Sequence, residues 1–153
     1  MTPRVHTARV SYGGADRLDI TRKSAPPEGI AFAPSWAILR PALDALTLAR
    51  TLRDGSTALT PQGADAAIYA DGAAVARRIA DAVTASTWDL YRAAYTLEMR
   101  ESYRRSRPAW DAILARESVT LVCYCTDPTR CHRTVLAGIL AKLGAINEGE
   151  RHG

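Results

Sequence analysis

SVTLVCYCTDPTRCHRTVLAGILAKLG, residues 118–144, is the stretch that decides the fold. Ser118 to Val122 are β-branched and apolar with no charge, which predicts a buried strand. After a polar loop, Val135, Leu136, Ile139, Leu140 and Leu143 recur at helical spacing, with Lys142 in the last turn and Gly144 as a stop. Strand, polar loop and helix in that order place ligand-binding groups at the carboxyl end of a parallel strand, where the helix N-terminus offers free backbone N–H groups to an anion. That loop holds all three cysteines, His132, Arg130 and Arg133, so any chemistry this chain performs is expected there.

At 153 residues the chain is expected to form a single α/β domain, and a chain of this size buries enough surface to need no disulfide or metal for stability. Lys and Arg outnumber Asp and Glu by 20 to 16, and the excess is almost wholly arginine, since Lys23 and Lys142 are the lysines. Arginine favours planar recognition of carboxylate or phosphate. The N-terminus MTPRVHTARV lacks the apolar core of a signal peptide, and no uncharged apolar run approaches bilayer length, so no membrane partner and a cytoplasmic location are expected. An odd number of cysteines within nine residues is not a secreted disulfide framework; reduced thiols are the expectation.

Outward from the deciding stretch, Val5 to Tyr12 predicts a first strand, ended by Gly13 and Gly14, and residues 17–21 predict a short second one. Alternation in that second strand puts the Asp19 carboxylate on the face opposite Leu18 and Ile20. A helix is expected from about Pro34 and Ser35 to residue 54, started, kinked or split by Pro41. Residues 55–72 carry glycines and a proline without periodicity and are read as an exposed connection, part of a loop or helical insertion spanning about 55–86. Residues 73–83 predict an alanine-rich helix, and Ser86 or Thr87 is expected to cap the next, which runs to about Ser106 with Trp88, Tyr91, Tyr95, Met99 and Tyr103 as an aromatic stripe. Pro108 opens a further helix.

VTLVCYC followed by Cys131-His132-Arg133 and an amphipathic helix resembles the C-terminal signature of the domain of unknown function 488 family. RLDITRKS resembles the family's N-terminal Asp-Val-Arg segment, with Asp19 in the Asp place and Thr21 where the Arg would stand; Arg22 is adjacent. AFAPSW and MRESYRRSRPAWDAIL extend the similarity to a subgroup of bacterial and phage genomes, covering most of the chain except residues 41–86. The resemblance implies a small Rossmann-like three-layer α/β fold, with a mostly parallel sheet and helices on both faces, and implies no particular reaction.

Read as chemistry, Cys131 lies near a helix N-terminus beside Arg130 and Arg133, a setting that lowers a thiol pKa and suits a nucleophile; a small buried hydrophobe is the alternative. His132 is either a proton-transfer group or a buried histidine bonded to the loop backbone. Asp19 is a candidate general base or acceptor for a ligand hydroxyl. Arg133, Arg130 and Arg22 are candidate anion clamps, joined by Cys125 at the strand end and Tyr12 as ligand-binding residues. From Cys125 to Arg130 the loop is one residue short of the phosphatase Cys-x5-Arg pattern, which excludes that mechanism. The expected partner is a nucleotide or another phosphorylated small molecule, with no cofactor and no metal assigned. Two alternatives stand. Cys123, Cys125, Cys131 and His132 supply zinc-type ligands, although Cys-x-Cys on a strand points both side chains the same way instead of around a turn. Nucleic acid is the other, resting on Arg4, Arg9, Arg17, Arg22, Lys23 and the cluster Arg100, Arg104, Arg105, Arg107.

Overall fold

The structure is a computed structural model that describes residues 2–58 and 66–152. The chain divides into two compact units, Met1–Trp36 with Arg92–Gly153, and Ala37–Tyr91. The first holds an all-parallel four-stranded sheet in the order β2-β3-β1-β4, formed by β1 (Arg4–Arg9), β2 (Arg17–Asp19), β3 (Ser118–Cys123) and β4 (Ile146–Glu150). The expected α/β class with a parallel sheet is what is found.

The apolar run chosen above is β3, buried from Val119 to Cys123 because it has a strand on each side, β1 paired from Arg4↔Ser118 to Arg9↔Cys123 and β2 from Arg17↔Thr120 to Asp19↔Val122. β4 pairs with the other edge of β1, with an irregular step between Val5 and His6. Sequence reasoning missed this strand: INEGE carries one apolar residue, and an edge strand that is largely exposed shows no alternation. Helix α4 (His132–Lys142) packs on β1, β3 and β4 through Leu136, Ala137 and Leu140, and Gly144 at φ 107° provides the left-handed residue that ends it. Helix α3 (Arg107–Leu114) begins at Ser106 with Pro108 in its first turn and buries Trp110 and Ile113. A single 3₁₀ turn at Ile30–Phe32 lies against the Arg92–Arg105 part of α2: the Tyr95 hydroxyl donates to the Phe32 carbonyl (2.7 Å), Ser102 Oγ to the Ala31 carbonyl (2.6 Å), and the Phe32 and Trp110 rings meet edge-on at 5.0 Å.

Two helices differ from expectation. Helix α1 (Trp36–Ala58) continues through Pro41 and past residue 54, so residues 55–58 are helical where a connection was expected. Helix α2 (Ala66–Arg105) runs 40 residues without a break, taking in 66–72 as well. Ser86 and Thr87 therefore cap nothing. The reason is that alanine and arginine dominate the stretch and no proline interrupts it, so a serine–threonine pair alone does not stop propagation. The rest of the expected connection, residues 59–65, lies outside the described residues. Within the second unit, Arg53 and Asp81 form an ion pair at 2.7 Å, and Ala49 and Ala80 are buried.

Candidate functional site

The carboxyl ends of β2 and β3 and the N-terminus of α4 converge on one place. β3 ends at Cys123, and the following 3₁₀ turn at Pro128–Arg130 is capped by the Asp127 side chain, which accepts from Thr129 N. The chain then enters α4 with Cys131 as N-cap; the thiol makes no capping hydrogen bond, so the first-turn N–H groups of the helix have no side-chain cap.

The three sulfurs form a cluster, all within 4.8 Å of one another. Period-two geometry puts Cys123 and Cys125 on one side of the chain, and the Cys123 thiol donates to Cys125 Sγ at 3.6 Å. Cys123 and Cys131 are buried and Cys125 is exposed. Their acidities separate accordingly. Hydrogen bonds from Cys123 and Cys131, with the Arg133 charge behind them, outweigh burial and pull Cys125 down to about 3. The bond to Cys125 raises Cys123 to about 11. Burial, then the two neighbouring sulfurs, push Cys131 upward. This is opposite in direction to the expectation drawn from its flanking arginines: at 1% exposure desolvation outweighs them, and the ionised thiol of the loop is Cys125.

His132 is buried, and burial lowers its pKa. Its Nε2 lies 3.0 Å from the Ile20 carbonyl, which can only accept, so Nε2 carries the proton and Nδ1 turns a lone pair toward Cys123 Sγ (3.7 Å) and Cys131 Sγ (3.9 Å). The Tyr95 ring meets it edge-on at 5.3 Å. The buried-histidine expectation thus describes Nε2, while Nδ1 remains available to the sulfurs.

Arg133 is fully buried, and its guanidinium is engaged within the fold. Nε and Nη2 form a fork on Glu150 (3.2 and 2.9 Å), and Nη1 donates to the Cys125 carbonyl (2.8 Å) and to Cys131 Sγ (3.3 Å). The Glu150 carboxyl, also bonded by Thr7, is held below its ordinary range: burial opposes this, and the Arg133 and Thr7 bonds overcome it. Glu150, on the strand missed in the sequence, is the functional-site residue that sequence reasoning lacked. Arg130 is exposed and, among the described residues, its side chain makes no hydrogen bond or close ion pair, its charge acting on the nearby Asp127 carboxylate. The structure therefore exchanges the two arginines: Arg133 fastens the loop to β4, and Arg130 faces solvent beside Cys125's loop.

Asp19 sits at the end of β2 with both oxygens occupied. Oδ1 accepts from Thr21 N (2.8 Å) and Thr21 Oγ1 (2.7 Å), and Oδ2 accepts from Ser24 Oγ (2.6 Å). Burial raises its pKa, the Ser24 and Thr21 bonds lower it, and the balance falls below the ordinary value. A carboxylate so supplied with donors is a weak base, which argues against its general-base role and for orienting Ser24, whose hydroxyl also meets Tyr124 Oη at 3.0 Å across from the cysteine loop. Thr21 fills the position where the family's arginine was expected. Arg22 turns away, donating through Nε to the Pro34 carbonyl (2.7 Å) and through Nη2 to that of Ala33 (3.1 Å). Tyr12 likewise serves a structural loop: its hydroxyl donates to Asp16 (2.8 Å), which also accepts from Ser118 and Thr120 at the amino end of β3, away from the cysteines.

Residues 70–144 match a protein family described as the active DUF488-N3 subclade. Over this stretch the chain is similar to the DUF488 family. The matching segment runs from within α2 through α3, β3 and the cysteine loop to the end of α4, and does not extend to Asp19 or Glu150. No curated protein and no solved structure matches the chain. Among the described residues, no helix is long and apolar enough to cross a membrane.

Proposed function

We propose that this protein binds, and acts on, a small phosphorylated molecule of the nucleotide class at the cysteine loop, with Cys125 in place of Cys131 as its nucleophile. The observation that carries the reading is the setting of Cys125: a half-buried sulfur on an exposed residue just past the end of a central parallel strand, ionised by two buried thiols beneath it. The uncapped first turn of α4 and the exposed Arg130, which makes no hydrogen bond or close ion pair among the described residues, support an anionic ligand. In the first step the Cys125 thiolate gives its electron pair to the electrophilic atom of the ligand, the sulfur bond forms as the leaving-group bond breaks, and the leaving group departs with that pair and takes a proton from water. No base has to remove a proton from Cys125, which suits an Asp19 held as an ionised acceptor.

Iodoacetamide labelling of the intact chain, read by mass spectrometry, tests this. Cys125 labels first, AMP or inorganic phosphate slows it, and Cys125→Ser abolishes fast labelling. Fast labelling at Cys131 or Cys123 overturns the assignment.

One observation favours a second reading, a zinc-class centre. A zinc–sulfur bond of about 2.3 Å puts two ligand sulfurs roughly 3.8 Å apart, close to the 3.6 Å between Cys123 and Cys125, while His132 Nδ1 lies 3.7 and 3.9 Å from the Cys123 and Cys131 sulfurs. The Nε2 bond to Ile20 is the outer-sphere contact that a metal-bound histidine makes. Here the same-side geometry of Cys-x-Cys, which weighed against zinc in the sequence, is what brings two sulfurs together. One zinc per chain that resists dialysis and blocks alkylation of all three cysteines replaces the first reading with this one.

A further inference from the structure

Away from the cysteine loop, the Arg92–Arg105 part of α2, α3 and α4 enclose a cleft of about 350 Å³. Its floor is apolar: Met99 and Trp110 are buried, and Ile139 and Leu143 line one wall. The floor is also fixed in place, since Trp110 Nε1 donates to Ser102 Oγ (3.0 Å) and the Tyr103 ring stands edge-on to the Trp110 ring at 5.5 Å. Arg100, Arg104 and Lys142 stand at its margin, and no carboxylate lines it.

The charges there are sorted. Arg105 pairs with Glu101 (2.6 Å), and Arg107 pairs with Asp111 (3.0 Å) while stacking 4.4 Å over the Tyr103 ring. Arg100, Arg104 and Lys142, the three that reach the cleft, have no carboxylate partner among the described residues. Helix ends attract cations, which accounts for Arg104 and Lys142 in the last turns of α2 and α4. It does not account for Arg100, a full turn earlier, nor for the convergence of all three on one apolar hollow.

We infer that this cleft binds a small amphipathic anion, a phosphate monoester carrying an apolar body, with the phosphate held by Arg100, Arg104 and Lys142 and the body against Met99, Trp110 and Leu143. Its volume falls at the lower end of ligand pockets, about 300–1,000 Å³, so it takes one compact molecule. Three cations matched to one dianionic head, above a largely apolar floor with no carboxylate in the lining, favour this chemistry over a polar ligand or a bare ion.

The test uses the intact chain and displacement of anilinonaphthalene sulfonate by octyl phosphate, octanol and inorganic phosphate, with an oligothymidylate titrated separately. Octyl phosphate displaces the dye, while octanol and inorganic phosphate at the same concentration do not. The Arg100→Gln/Lys142→Gln double variant, both exposed positions, weakens octyl phosphate by at least about tenfold with its thermal midpoint unchanged, and Leu143→Ser weakens it too. Cys125→Ser leaves it unaltered, which separates this site from the cysteine loop. Equal displacement from wild type and the double variant, or displacement by inorganic phosphate alone, overturns the inference. So does oligothymidylate binding that the double variant loses while octyl phosphate binding persists; the arginines would then serve a nucleic-acid strand.

Discussion

Replacing Arg133 by Gln separates the two roles that a buried arginine in a candidate site can have. Its side chain is 0% exposed and its fork engages Glu150, 15% exposed, while Nη1 holds the Cys125 carbonyl and the Cys131 sulfur. Truncating one member of such a pair leaves the other charge uncompensated and costs about 3–5 kcal/mol. For a chain of this size each kcal/mol moves the thermal midpoint by roughly 2–4 °C, so Arg133→Gln is expected to lower it by about 10 °C. Glu150→Gln costs a similar amount, because it strands the guanidinium instead. Arg133→Met combined with Glu150→Leu recovers most of the loss, since removing both charges removes the penalty for burying either, and the two single effects are therefore far from additive. Differential scanning calorimetry on the four proteins reads this directly. An Arg133→Gln protein that melts within about 2 °C of wild type and has lost phosphate binding would overturn the fastening role and return Arg133 to that of anion clamp.

Three further outcomes follow from the same geometry. With Cys125 at about 3, its alkylation rate is flat from about pH 5 to pH 8, where an ordinary thiol gains roughly tenfold per unit; a rate that climbs with pH across that range contradicts the ionised Cys125. Asp16, Asp19 and Glu150 are all held below their ordinary values of 3.8, 3.8 and 4.5, so the unfolded chain binds more protons in acid, the stabilisation is complete at neutral pH, and it is lost as pH falls below about 4; Asp19→Asn flattens the acid limb of a midpoint-versus-pH curve, and an unchanged limb would mean that the carboxylate is not held this way. A Cβ at Gly29 would lie 2.1 Å from the Asp19 carbonyl oxygen, so Gly29→Ala shifts the 19–24 loop and costs about 1–3 kcal/mol in denaturant unfolding; a neutral substitution would place that loop farther from Gly29.

Much of the fold was legible because β3 and α4 obey simple periods. An uncharged β-branched run has to be a strand buried on both faces, and of the expected helix face Leu136 and Leu140 are buried against it, while Val135 and Ile139 are half-buried and Leu143 exposed, and Ala137 takes the remaining place. The 40-residue α2 was read as two helices because Ser86 and Thr87 have the chemistry of caps, yet a cap ends a helix only where the backbone is free to leave it. Asp19 was found by alternation and by the family resemblance of RLDITRKS. Its state was not, because the Ser24 and Thr21 donors that saturate it come from a turn whose shape no period encodes.

That Cys131 and Arg133 lie buried while Cys125 and Arg130 lie exposed has one cause. A residue's nearness to a helix N-terminus can be read along the chain, but the side of the helix it occupies decides whether it meets solvent or the sheet. Arg133 precedes Leu136 by three, Ala137 by four and Leu140 by seven, the buried stripe of α4, so its charge was bound to enter the interior and to need a carboxylate there. That carboxylate belongs to β4, the strand whose sequence carries no strand signal, and without it the arginine read as a free clamp. Cys131 follows the same logic as N-cap of a helix that presses its first turn into the sheet: the arginine beside it is spent on Glu150, and burial, not charge, sets its thiol. Cys125 escapes both constraints because β3 has already ended at Cys123. Its sulfur keeps the side of the strand on which Cys123 lies, gains that thiol as a donor, and stays open to solvent. A thiolate with its donors below and its approach above is poised for a ligand, or for a metal, from one direction only. Cys125→Ser, which keeps the size and removes the thiolate, is therefore expected to abolish either activity while leaving the Arg133–Glu150 fastening, and the thermal midpoint it supports, in place.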